Sequence, residues 1–274
     1  VTDHYAVIGN PIAHSKSPTI HAAFARQTGQ HMEYRRILGS ANTFTDDVRR
    51  FVAEGGRGLN VTLPFKEQAW RLLADCSPRA EAAGAVNTLM VLDGGLLHGD
   101  NTDGVGLVRD LTANQGFQFT GKRVLLLGAG GAARGVLGPL LDRGPAELRI
   151  ANRTASSATA LASAVDDERV TGHGLERLAG RRFDLIVNAT SIGLAGGVPP
   201  LPNDCLADGG WGYDMFYTNE PTPFCRWATA HGAAHASDGL GMLVEQAAES
   251  FALWRGVHPD TAPVIALLRG ADSP

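Results

Sequence analysis

The sequence predicts an α/β protein of two domains, one of them built on a doubly wound parallel sheet. Three observations point there. At 274 residues the chain is long for one hydrophobic core and comfortable for two. Val124 to Leu127 are apolar and lie between polar Lys122-Arg123 and Gly128, which suits a short strand buried on both faces. Gly128, Gly130 and Ala133 then fit G-x-G-x-x-G/A at the opening of a helix, expected over Ala132 to Leu141 and ending near Gly144.

Each residue of that turn has a physical reason. Gly128 permits the tight bend, Gly130 removes the Cβ that would block a pyrophosphate, and Ala133 lets helix approach strand. The helix start offers free N–H groups and the positive end of its dipole to phosphate. A second strand, Leu148 to Ala151, ends where an NAD enzyme would carry an acidic residue for the ribose 2′-hydroxyl. Here the chain reads Asn152-Arg153-Thr154. No carboxylate repels a 2′-phosphate, and an arginine fork can hold one, so the cofactor expected is NADP.

Composition narrows the class. Hydrophobic content of 44% and charged content of 19% describe an ordinary soluble globular protein. The net charge of −4, with no basic run, argues against nucleic acid and against a basic membrane-binding patch. No apolar stretch approaches a membrane helix, and the N-terminus lacks a signal-peptide pattern. Cys76, Cys205 and Cys225 form neither a disulfide framework nor a zinc-type pair, and the histidines show no i, i+4 metal pair, so no metal is assigned. The expected setting is cytoplasmic.

Before the glycine-rich turn, Tyr5 to Gly9 reads as a strand closed by Asn10-Pro11. Ser15-Lys-Ser-Pro18 precedes a helix to about Thr28, with Ser17 as N-cap; two hydroxyls there either cap or bind a small anion such as a carboxylate. Residues 29 to 57 alternate loosely, with a helix expected over Thr45 to Glu54. The strand from Gly58 delivers Asn60, Thr62 and Lys66 to one rim; Lys66 alone reads as a solvated lysine opening a helix over Glu67 to Ala74. Arg79 to Ala83 looks helical, and Ala85–Leu92 and Leu96–His98 flank Asp93-Gly-Gly95 as a hairpin. Asn87 suits a structural hydrogen bond as well as a ligand contact, and Asp103 suits a cap on a helix running to about Gln115. Past Thr154 come a helix (Ser156 to Val165), a strand (Phe183 to Ser191), a proline-rich loop (Val198 to Pro202), a strand (Trp211 to Tyr217), and helices over Pro223–His231 and Leu243–Trp254.

These blocks together resemble the shikimate dehydrogenase family, NADP-dependent enzymes of aromatic biosynthesis. The resemblance runs from about Tyr5 to Trp254 and rests on nine blocks. Four are Gly9-Asn-Pro-Ile-Ala-His-Ser-Lys-Ser-Pro18, Asn60-Val-Thr-Leu-Pro-Phe-Lys66, Gly84-Ala-Val-Asn-Thr88 and Gly99-Asp-Asn-Thr-Asp-Gly104. The others are Gly128-Ala-Gly-Gly-Ala132, Asn152-Arg-Thr154, Asn188-Ala-Thr-Ser191, Tyr213-Asp-Met-Phe-Tyr217 and Asp238-Gly-Leu-Gly-Met242. It implies reversible NADPH-dependent reduction of 3-dehydroshikimate to shikimate by two α/β domains with a cleft between them. Residues 1–102, completed by 239–274, would form the substrate domain, and 103–238 the NADP-binding Rossmann domain. By motif position, Lys66 and Asp103 would be the catalytic pair. Ser15 and Ser17 would hold the substrate carboxylate, and Thr62, Asn87, Tyr217 and Gln246 the ring and its hydroxyls. Gly128, Ala129, Gly130, Gly131, Ala132, Asn152, Arg153, Thr154, Thr190, Met215 and Gly239 would line the NADP side. The only partners implied are small molecules, with monomer and homodimer both open.

One departure matters. Many family members carry Asn-Arg-Thr-x-x-Arg on the adenine side; here the sixth position is Ser157, which leaves Arg153 alone. A quinate/shikimate dehydrogenase with relaxed NAD(P) use is therefore the nearest rival, followed by a paralogue acting on an aminated analogue. A non-catalytic shikimate or NADP sensor is disfavoured because it has no need of a Lys66–Asp103 proton donor.

Overall fold

The computed structural model describes residues 2–270. Val1 and residues 271–274, included in the expected first domain, lie outside the described residues. The chain forms two compact units, residues 1–106 with 243–274, and residues 107–242. The chain passes between the units at 106/107 and 242/243, inside helices, four residues beyond each of the expected boundaries at 102/103 and 238/239, and Asp103 falls in the first unit.

In chain order the first unit contains β1 (Asp3–Gly9), α1 (Ser17–Thr28), β2 (Met32–Leu38), α2 (Phe44–Ala53), β3 (Gly56–Val61), α3 (Lys66–Leu72), α4 (Pro78–Ala83), β4 (Thr88–Val91) and β5 (Leu97–Asp100), then the start of α5 (Asp103–Arg109). Its sheet has the order β2-β1-β3-β4-β5, parallel from β2 to β3 and antiparallel from β3 to β5. Ala6, Ile8, Leu59, Val61 and Leu89 pack with Phe44, Val48 and Phe51 of α2 and with Phe65. Another buried cluster joins Ile20 and Phe24 of α1 to residues from the chain's end, described below.

The second unit contains β6 (Arg123–Leu127), α6 (Gly131–Leu141), β7 (Glu147–Asn152), α7 (Ala155–Ser163), β8 (Val170–Gly174), β9 (Phe183–Asn188), β10 (Leu206–Asp214), α8 (Pro223–Ala230) and β11 (His235–Ser237). All its strand pairs are parallel, in the order β11-β10-β9-β6-β7-β8. Alternation of apolar and polar residues is absent from β6 because both its faces are covered: Val124 and Leu126 enter one core, Leu125 and Leu127 the other. The chain then returns through α9 (Leu240–Arg255) and α10 (Ala262–Arg269), which place Val244, Ala247, Phe251 and Val264 against Ile20 and Phe24.

Several local expectations need correction. Ser17 does not cap α1; it is the first helical residue, and its N–H donates to Ser15 Oγ at 3.3 Å. Asp103 is no cap either, because Asn101 Oδ1 accepts the Asp103 N–H at 3.1 Å and leaves the Asp103 carboxylate to other partners. The helix toward Gln115 breaks at Arg109 into a π-turn over Asp110–Asn114. β9 ends at Asn188 and β10 at Asp214, so Thr190, Met215 and Tyr217 stand on the turns beyond the strands. β2, β8, β11 and α10 had no expected counterpart.

Candidate active site

In the first unit, strand register gathers the polar residues at one edge of the sheet. Ile8 pairs with Val61, Asn60 with Thr88, and Thr88 with Asp100. The carboxyl ends of β1, β3 and β5 and the start of β4 therefore lie together, because β4 runs opposite to its neighbours. That edge carries Gly9 to Ser17, Thr62 to Lys66, Asn87-Thr88, and Asp100 to Asp103.

At its centre Lys66 Nζ donates to Asp103 Oδ2 at 2.6 Å, with side-chain exposures of only 26% and 11%. Asn87 Nδ2 donates to Asp103 Oδ1 at 2.9 Å, so both carboxylate oxygens are held. Gln246 Oε1 lies 3.2 Å from the same amide nitrogen, and Gln246 Nε2 donates to the Leu243 carbonyl at 2.7 Å. Lys66, Asn87, Asp103 and Gln246 thus form one network.

A second ion pair supports the loop that carries Asp103. Arg79 grips Asp100 with both Nε (2.6 Å) and Nη2 (2.7 Å), while Ser77 Oγ and the Asn101 N–H donate to Oδ1. Burial works to raise the Asp100 pKa, but the Arg79 and Ser77 hydrogen bonds outweigh it and hold the carboxyl below its ordinary value. Ser15 and Ser17 sit at the start of α1, with Ser17 buried and the Ser15 carbonyl accepting from Arg36 Nη2 at 2.6 Å. Thr62 is fixed through its backbone, its N–H donating to the Ile8 carbonyl at 3.0 Å.

In the second unit β6 is flanked by β7 on one side and β9 on the other, which makes its carboxyl end a topological switch point. Gly128 there has φ +107°, a conformation that L side chains rarely adopt, and an added Cβ would stand 3.1 Å from the Ala189 carbonyl oxygen. An added Cβ at Gly130 would meet no atom of the described residues within 4 Å. Among the described residues no side chain caps α6, so the N–H groups of its first turn are not taken by a protein cap. Next to this turn, Asn188 Oδ1 accepts from Thr190 Oγ1 at 2.7 Å, and the Met215 N–H donates to the Asn188 carbonyl at 3.0 Å. Gly239 leaves no room for a side chain, since a Cβ would lie 2.3 Å from the Met215 carbonyl oxygen. Arg153 and Thr154 are exposed beyond β7, and Asn152 Nδ2 donates to the Thr154 carbonyl at 3.1 Å. Tyr217 is half-buried, and burial, with Asp238 adding to it, raises its hydroxyl pKa.

Sequence reasoning passed over Thr88, Thr102 and Ser250, which surround Asn87 and are fully buried. Thr88 and Thr102 lie within the motif blocks and could have been read there; Ser250 and Tyr34, whose hydroxyl donates to Asn60 Oδ1 at 2.7 Å, carry no sequence signal. Among the described residues, no three His, Cys, Asp or Glu side chains are gathered as for a metal ion, and no helix is long and apolar enough to cross a membrane.

An open-sheet nucleotide-binding unit joined to a unit bearing a lysine–carboxylate pair defines a dehydrogenase that uses a nicotinamide nucleotide. The relatives make the family specific. Residues 7–89 match the shikimate dehydrogenase substrate binding domain, 111–193 the shikimate/quinate 5-dehydrogenase model, and 239–269 the shikimate 5′-dehydrogenase C-terminal domain. A shikimate dehydrogenase (NADP(+)) of Alkalilimnicola ehrlichii is 60% identical over 270 residues, covering 98% of this chain and 99% of its own. The structure of an Ael1 enzyme from Pseudomonas putida has a TM-score of 0.94 at 49% identity, over 97% of this chain and 98% of that one. Shikimate 5-dehydrogenase from Thermus thermophilus, in complex with NADP(H) and shikimate, has a TM-score of 0.88 at 35% identity, over 98% of this chain and all (100%) of that one. This chain belongs to the shikimate dehydrogenase family.

Proposed function

We propose that the chain catalyses the reversible, NADP-dependent interconversion of 3-dehydroshikimate and shikimate, with Lys66 and Asp103 as its catalytic pair. The observation that carries this reading is the 2.6 Å Lys66–Asp103 contact, set in a network with Asn87 and Gln246. The positive φ of Gly128, the open space at Gly130 and the uncapped start of α6 fit a dinucleotide pyrophosphate. Residues 128–132 would hold that group, Asn152 to Thr154 the adenosine 2′-phosphate, and Thr190, Met215 and Gly239 the remainder of the nucleotide. Bound NADPH supplies a hydride to the ketone carbon.

As negative charge develops on the carbonyl oxygen, the Lys66 ammonium stabilises it and donates a proton to it, so ketone, hydride and proton give the alcohol. Asp103 keeps the ammonium aimed and accepts from the neighbouring ring hydroxyl. Ser15 and Ser17, at the positive end of the 12-residue α1, suit the substrate carboxylate. Thr62, Asn87, Tyr217 and Gln246 complete the polar groups for the ring. Three free cysteines among the described residues accord with a reducing, cytoplasmic setting.

Ser157 is exposed and brings no second arginine to the 2′-phosphate, which favours a weaker NADP preference than the Asn-Arg-Thr-x-x-Arg pattern would give. Steady-state oxidation of shikimate and of quinate, each with NADP⁺ and NAD⁺, tests the reading. Turnover confined to shikimate with NADP⁺ supports it. Comparable quinate or NAD⁺ turnover moves the chain to the broader quinate/shikimate class, and silence in all four with binding intact makes it a sensor.

A further inference from the structure

Behind the Lys66–Asp103 pair lies a closed set of hydroxyls that the catalytic assignment does not use. Thr88, Thr102 and Ser250 come from the start of β4, the loop after β5, and α9, and all three are 0% exposed. Thr88 Oγ1 and Ser250 Oγ are 2.7 Å apart, and Thr102 Oγ1 is 3.3 Å from Ser250 Oγ. They surround the Asn87 carboxamide. Asn87 Oδ1 accepts from Thr88 Oγ1 at 2.8 Å, the Thr102 N–H at 2.9 Å and Thr102 Oγ1 at 3.2 Å. With its oxygen so occupied, the amide can present only its nitrogen to Asp103.

Each hydroxyl has a single hydrogen to give and more than one acceptor within reach, so the three act as one joined set. The 2.7 Å contact can take its hydrogen from either hydroxyl, since Thr88 Oγ1 also reaches Asn87 Oδ1 and Ser250 Oγ also reaches the Gln246 carbonyl at 3.1 Å. Ser250 in turn accepts from Asn60 Nδ2 at 3.1 Å, and Asn60 Oδ1 accepts from Tyr34. These contacts link Tyr34, Asn60, Ser250, Thr88 and Asn87 and finish on the Asp103 carboxylate, where Lys66 is bound. Linked hydrogen bonds in a low-dielectric interior polarise one another, and the last of them turns the Asn87 amide N–H to the anion. Ser250 also lies one turn beyond Gln246 on α9, so the same hydroxyl ties the Gln246 helix to Asn87.

We infer that Thr88 and Ser250 are positioning residues for the reaction: they lock the Asn87 carboxamide with its nitrogen on Asp103, and so hold the Asp103–Lys66 pair in register. The inference rests on the proposed catalytic role of that pair. Thr88→Val keeps the shape of the side chain and removes its donor, which frees the Asn87 amide and with it the aim of the Asp103–Lys66 pair, while neither of those residues nor the sheet register is itself altered. Because small misplacements at a reacting centre cost far more in rate than in affinity, kcat falls by roughly 10- to 100-fold and the shikimate KM stays within about 3-fold. Thr88→Ser restores the hydroxyl and returns most of kcat. Ser250→Ala lowers kcat by a smaller factor, and the double variant is no worse than Thr88→Val alone, since both act through one chain.

The experiment is steady-state kinetics of the full chain and these four variants, with thermal melts alongside. A folded Thr88→Val with kcat within about 2-fold of the parent overturns the inference, as does a Thr88→Ser variant equally impaired. Should Thr88→Val fail to fold, Ser250→Ala decides: an unchanged kcat there overturns the inference. Failure of the underlying reading is distinct, because the parent chain itself would then not oxidise shikimate.

Discussion

Acid should unfold the first unit through His21, and the size of the effect follows from where that residue sits. His21 lies on α1 with 0% exposure, stacked on Tyr34 at 4.2 Å and ringed by Phe24, Phe251 and Trp254. Neither ring nitrogen has a hydrogen-bond partner among the described residues. Burial penalises the imidazolium and pushes the His21 pKa down to about 3, outweighing the nearby Asn60, which acts the other way. In the unfolded chain the same ring titrates near 6.5. Between those values the unfolded state binds a proton that the folded state does not, so stability rises with pH across the window and is lost as pH falls through it. From pH 7 to pH 4 the loss from this one side chain is about 3 kcal/mol, a large share of the roughly 5–15 kcal/mol of a typical domain. His21→Phe keeps a ring against Tyr34 and has nothing to protonate. Urea unfolding at pH 7 and pH 4, followed by circular dichroism and tryptophan fluorescence, should show the parent losing about 3 kcal/mol more than His21→Phe over that interval. Equal losses in the two proteins would refute the reasoning.

Two further predictions concern the nucleotide. Arg153 is exposed and without a protein partner among the described residues, so Arg153→Ala should cut the preference for NADPH over NADH by roughly 10- to 100-fold, the worth of one charge-assisted contact. An unchanged ratio of kcat/KM values would remove Arg153 from the 2′-phosphate. Gly130→Val places its side chain where the protein leaves open space, so the fold should stand while the KM for NADP⁺ rises by about 10-fold or more. A melting temperature that drops in step with unchanged nucleotide affinity would show the glycine serving the turn alone.

The nucleotide unit was the more legible half, because its strands are short apolar runs and its turn has few chemical solutions. Val124 to Leu127 are buried on both faces as their unbroken apolar run implies, and Gly128 takes the positive φ that its place in the turn implies. β2 and β8 were hidden for the opposite reason. Arg35 and Arg36 interrupt the alternation in β2, and Gly172 and Gly174 interrupt β8, where a Cβ at Gly172 would lie 2.1 Å from the Ala158 carbonyl oxygen. In the substrate unit, Lys66 read alone as a surface lysine. The role proposed for it depends on Asp103, 37 residues away, and on Asn87, and only the antiparallel return of β4 and β5 brings the three together. Ser250 was out of reach altogether: it meets Asn60 across 190 residues of chain, and a serine inside an apolar helix carries no pattern of its own.

The central claim is that Lys66 delivers the proton, and Lys66→Ala tests it most directly, with kcat for shikimate oxidation measured beside shikimate affinity by calorimetry. The account predicts a kcat lower by roughly 10²- to 10⁴-fold with affinity within a few-fold, because in oxidation the Lys66 amine takes up the proton that its ammonium gives in reduction, acting on charge present only in the transition state. A variant that binds shikimate and turns it over at a near-normal kcat would contradict the account.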